Sequence, residues 1–132
     1  MRYIVLFLLF ASNFAAAQAK WYKVFKSKDG TITHYVKYEK TVKNDMHVWL
    51  KTTEADKEVK GQDGKTTYEK QGYVVQYMVF HCGSMTADKL EFTLYDGEGK
   101  IETEGNDKIY NEKIIRGSAG AVLYNFVCDI NQ

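Results

Sequence analysis

An α+β fold, an antiparallel sheet followed by one C-terminal helix, is predicted by three observations. Strand patterns occupy most of the chain up to residue 103, the one convincing helix pattern comes last, and no proline interrupts either. Two cysteines allow a single pairing, and that pairing joins the strongest strand pattern, ending at Cys82, to the helix pattern, which contains Cys128.

The chain begins with a basic residue, Arg2, an apolar run from Ile4 to Phe10, and the small-x-small sequence Ala17, Gln18, Ala19. This is the layout of a secretory signal peptide over residues 1–19, and its apolar run is too short to span a bilayer. Cleavage after Ala19 leaves residues 20–132 as one exported domain with no stable membrane insertion. No cysteine lies near the cleavage site, so lipid attachment is not indicated. Export to the cell surface, the medium or the periplasm provides an oxidising compartment in which a Cys82–Cys128 disulfide persists. Closing that loop contributes about 4 kcal/mol in the chain-entropy model, a large share of the stability of so small a domain.

Residues 21–26 and 31–38 are strand-forming runs on either side of Ser27, Lys28, Asp29 and Gly30, a hairpin-turn sequence. Residues 46–53 form a third strand with Met46, Val48 and Leu50 on one face and His47, Trp49 and Lys51 on the other. The charged stretch 54–65 reads as a solvated loop or hairpin tip. Residues 68–82 form one long strand and 90–95 another, after which the turn at 96–99 leads to a short strand near 100–103.

For the helix, Ser118 is a good N-cap, its hydroxyl able to accept from free amides of the first turn. Ala119, Val122, Leu123, Phe126, Val127 and Ile130 recur every three or four residues and form an apolar stripe to lie on the sheet. Cys128 falls roughly opposite the centre of that stripe at ~100° per residue. A break near Val127 and Cys128 is therefore expected, to swing the thiol toward the sheet.

Alternation in the long strand puts Val74, Met78, Phe80 and Cys82 on the face the helix covers. Tyr73, Val75, Tyr77, Val79 and His81 lie on the other. That second face is aromatic, with Trp49, Tyr73, Tyr77 and Tyr95 as its candidate partner-binding residues. Its alternative use is packing against the N-terminal segment or a second copy of the sheet.

Charge excludes one class of partner. Lys and Arg number 18 against 17 Asp and Glu, and removal of Arg2 with the signal peptide makes them equal. A nucleic-acid binder would show a basic excess in some stretch, and none is present. The histidines His34, His47 and His81 lack metal-ligand spacing within any element. Ser84 and Ser118 read as turn and cap residues rather than nucleophiles. No phosphate-cradling glycine loop is present, and nothing calls for a metal or cofactor. The chain reads as a binding protein and not as an enzyme.

Trp21, the run Met46 to Lys51, the strand ending at Cys82, the Tyr95 to Lys100 turn and the ten-residue offset from Ser118 to Cys128 occur in an order that resembles the bacterial surface-adhesin E domain family. The resemblance covers essentially the whole mature chain. It implies a sheet of about six strands whose concave side holds the C-terminal helix through the disulfide. It also implies a surface or secreted adhesin that contacts host matrix or plasma macromolecules. The chain departs from the family pattern at Arg116, where a proline is usual, and at Ala121, where an acidic residue often completes a capping box. Neither departure touches the aromatic face. The alternatives are a periplasmic binder holding a small apolar molecule between helix and sheet, and a homodimeric envelope protein.

Overall fold

The predicted alternation becomes a sheet in the computed structural model, which describes residues 20–129. The strands are β1 (Tyr22–Lys26), β2 (Ile32–Val42), β3 (Asp45–Glu54), β4 (Lys57–Lys60), β5 (Thr66–Glu69), β6 (Tyr73–His81), β7 (Thr86–Tyr95), β8 (Ile101–Gly105) and β9 (Ile109–Lys113). They are followed by α1 (Ala119–Asp129). Six strands run side by side in the order β1-β2-β3-β6-β7-β8, while β9 pairs with the first part of β7 and β8 with its last. Every pairing is antiparallel. The expected signal peptide and Ile130 lie outside the described residues.

The turn chemistry explains the first hairpin. Asp29 Oδ1 accepts from the Ser27 and Thr31 hydroxyls and the Thr31 amide, at 2.6, 2.7 and 3.1 Å. These bonds, the Ser27 hydroxyl foremost, hold its carboxyl down at about 2. Gly30 follows with φ 76°, the left-handed conformation that a side chain would strain.

The strand boundaries need correction. Residues 68–82 are not one strand, because the chain leaves β5 and re-enters the sheet as β6 at Tyr73. At this crossing a Cβ on Gly72 would run into the Tyr95 carbonyl oxygen, so only glycine allows the close approach. The charged stretch is indeed a hairpin tip, with β4 and β5 forming a separate ribbon whose residues are all exposed. β7 begins at Thr86 rather than Leu90, and β9 was unforeseen. Neither segment alternates clearly, and at the irregularity in their antiparallel pairing the Asn111 amide donates to Asp88 Oδ1 at 2.8 Å, with Asn111 at φ 55°.

The core lies on the concave face. Val36, Met46, Val48, Leu50, Met78, Phe80 and Ala87 from the sheet meet Leu123, Tyr124 and Val127 from α1. Cys82 and Cys128 are bonded, with Cα atoms 5.6 Å apart. Ser118 caps the helix as expected, its Oγ accepting from the Ala121 amide at 3.2 Å.

The expected break near Val127 does not occur, for α1 continues through Cys128 to Asp129. The error lay in the helix phase. Ala121, Leu123, Tyr124 and Val127 are the buried residues, while Val122 is 44% exposed. Relative to the predicted stripe, the helix is turned by ~100°, which brings Cys128 to the flank of the buried face without distortion. Tyr124 accounts for the rotation. Its hydroxyl donates to the His81 carbonyl at 3.3 Å and accepts from the Gly83 amide at 2.7 Å, so a residue with a polar tip occupies the core.

Candidate binding face

Opposite strand residues place Trp49 directly across from Tyr77 and Tyr73 directly across from Tyr95. The four aromatic residues named from sequence therefore do share the open face. They form two pairs. The Trp49 and Tyr77 rings meet edge to face at 4.8 Å, and the Tyr73 and Tyr95 rings stack at 4.6 Å. Lys51 and Val75 pair between them, and a step of four residues along β6 separates the pairs by ~13 Å. All four side chains are half-buried.

Sequence reasoning missed the polar residues that fix these rings. The Trp49 indole donates from Nε1 to Glu39 Oε2 at 3.2 Å, and His47 Nδ1 shares a hydrogen bond with the Tyr77 hydroxyl at 2.9 Å. Desolvation is the main cause of the lowered His47 pKa and the raised Tyr77 pKa. Both groups are thus neutral near pH 7. Strand parity places His47 on this face beside Trp49, but nothing local in the sequence relates it to Tyr77.

The three histidines do not converge. His34 lies on the covered side, stacked on Phe25 at 4.8 Å and bonded to Thr52 at 3.0 Å, and burial lowers its pKa. His81 lies on the open side between two carboxylates. Its Nδ1 is 2.7 Å from Asp45 Oδ1 on β3 and its Nε2 is 2.9 Å from Asp88 Oδ1 on β7. The second contact is poorly aligned as a hydrogen bond, yet at that separation its electrostatic attraction remains. Asp88 first and Asp45 second raise the His81 pKa. Among the described residues, no group of three or more His, Cys, Asp and Glu side chains is arranged to hold a metal ion.

At the β1–β3 end of the same face lies Trp21. The Lys37 and Lys51 ammonium groups sit 5.0 and 4.7 Å from its ring centre, and Lys51 is also 5.1 Å from that of Tyr35. Trp21 thus lies over one end of the open face. The two aromatic pairs lie beyond it.

A cavity of about 320 Å³ opens beneath the N-terminal half of α1, with Leu50, Met78, Phe80, Ala87 and Leu123 among its walls. The Lys89–Glu112 ion pair, at 3.0 Å, stands beside it. Among the described residues, no helix is long and apolar enough to cross a membrane.

A family model described as surface-adhesin protein E matches residues 21–129. No curated protein and no solved structure gives a match.

Proposed function

The chain belongs to the surface-adhesin protein E family, and from that premise we propose that it is an exported, non-enzymatic adhesin that contacts host matrix or plasma macromolecules through its open face. One observation carries this reading. The disulfide and the helix occupy the concave side, while the opposite side presents Trp49, Tyr73, Tyr77 and Tyr95 in two ordered pairs. Ordered aromatic residues with polar neighbours are enriched where proteins bind one another. Their pairing and their bonds to Glu39 and His47 also reduce the side-chain freedom lost on binding. The disulfide suits life outside the cytoplasm.

The test measures binding of mature protein to immobilised matrix and plasma proteins, together with whole-cell adhesion. Wild-type protein is expected to bind at least one component, and Trp49→Ala and Tyr77→Ala to weaken it. Failure to bind any component, with both variants adhering like wild type on cells, would sink the proposal.

The concave cavity favours a second reading, in which the protein carries a small apolar molecule. Native mass spectrometry of protein purified from its own host distinguishes the two. A retained ligand mass that Leu123→Trp abolishes favours the carrier, and a bare mass favours the adhesin.

A further inference from the structure

Lysines gather at one corner of the open face. Lys23, Lys37 and Lys51 occupy its β1–β3 end, where Lys23 and Lys51 pair with Tyr35 from either side and Lys37 pairs with Trp49. Among the described residues, neither Lys37 nor Lys51 has a carboxylate at ion-pair distance. From Lys51 the row across the sheet runs through Val75 and Thr93 before it reaches Glu104. Three strand spacings of ~4.8 Å make that ~14 Å, beyond the ~8 Å screening length at physiological salt. Glu39, the nearer acid along β2, is engaged by the Trp49 indole.

The contacts with Trp21 and Tyr35 steady these ammonium groups without neutralising them. Two like charges over one ring repel, and an incoming anion relieves that repulsion. We propose that the corner formed by Trp21, Tyr35, Lys37 and Lys51 docks an acidic protein segment, whose carboxylates meet the two ammonium groups. The inference rests on the adhesin reading of this face and specifies the chemistry of the partner. A lysine ammonium is a compact point charge suited to a single carboxylate. The ring faces of Trp21 and Tyr35 are in contact with those ammonium groups, so the corner reads charge rather than stacking a sugar ring. Holding the ammonium groups in place reduces the ordering cost of binding.

The experiment measures the affinity of mature protein for poly-L-glutamate and for heparin as NaCl is raised. Wild type is expected to prefer polyglutamate and to lose affinity with salt. The double variant Lys37→Gln/Lys51→Gln should lose about tenfold or more, and Lys37→Arg/Lys51→Arg should keep most of the affinity. Lys100→Gln, an exposed lysine in the turn before β8 and outside the corner, should bind polyglutamate like wild type. Urea midpoints establish that each variant is folded, and if the glutamine pair is not, the arginine pair and the salt series decide. Polyglutamate binding unchanged in a folded glutamine pair, or a wild-type preference for heparin, would overturn the inference. Two further outcomes separate it from the reading beneath it. Matrix binding that persists undiminished in the glutamine pair removes the acidic dock and leaves the adhesin. Polyglutamate binding without binding to any matrix or plasma component removes the adhesin and leaves the acidic preference.

Discussion

The two faces of one sheet are built from alternate residues of the same strands, yet they are held by different forces. On the concave face Met46, Val48, Leu50, Met78 and Phe80 pack against Leu123, Tyr124 and Val127, and the disulfide closes the assembly at one end. On the open face the neighbouring residues His47, Trp49, Lys51 and Tyr77 remain half-exposed, and the contacts found there are ring pairs, cation–π contacts and hydrogen bonds. A β-strand's two-residue period is enough to separate these roles. Stability therefore concentrates on one face, which leaves the other free to be specified by a partner.

That contrast is broken most directly by emptying the core. Phe80 is 1% exposed, so Phe80→Ala is expected to cost about 3–5 kcal/mol. Trp49→Ala, as large a truncation on the open face, should cost less than half as much. Urea denaturation of both variants measures the difference, and equal losses would refute the division between the faces.

Removal of the disulfide is expected to cost about 2–4 kcal/mol. Cys82→Ser/Cys128→Ser should show this in the urea midpoint while leaving the strand signal in circular dichroism. The helix keeps its buried side chains, so it should loosen rather than leave.

A smaller effect sharpens the comparison at the helix. Tyr124→Phe deprives the Gly83 amide of its acceptor and should cost about 1–3 kcal/mol. A neutral result would mean that apolar packing alone holds this side of the helix.

The smallest effect is on pH dependence. Asp88 and Asp45 raise the folded-state pKa of His81, so its stabilisation is fully present below its unfolded pKa of ~6.5 and is lost as pH rises through the higher folded value. His34 and His47, lowered by burial, contribute in the opposite sense, with stability lost as pH falls below ~6.5. The informative quantity is accordingly the difference between wild type and His81→Gln. It should reach at most about 1 kcal/mol near pH 5.5 and shrink by pH 8.5. A difference that grows with pH would contradict the imidazolium bridge between β3 and β7.

Strand parity made much of this legible before any coordinates. The residues of β3 and β6 fell on their correct faces, and the two cysteines left one pairing. The helix phase was misread because hydrophobicity ranks Val122 above Tyr124, whereas hydrogen bonding to Gly83 and His81 places the tyrosine inside. β9 escaped notice because it has little pattern of its own and pairs only with the polar start of β7. On the open face, the four aromatic residues followed from alternation, but Glu39 and His47 as their partners did not. Nor did the approach of Lys37 and Lys51 to Trp21. Those contacts depend on register between strands far apart in sequence, which no local pattern encodes.

The central claim, that the open aromatic face binds a host partner, is tested most directly by the affinity of the mature protein for a matrix or plasma component, compared with Trp49→Ala/Tyr77→Ala. The account predicts a loss of about tenfold or more in the double variant, with circular dichroism like that of wild type. Wild-type affinity in a folded double variant would contradict it.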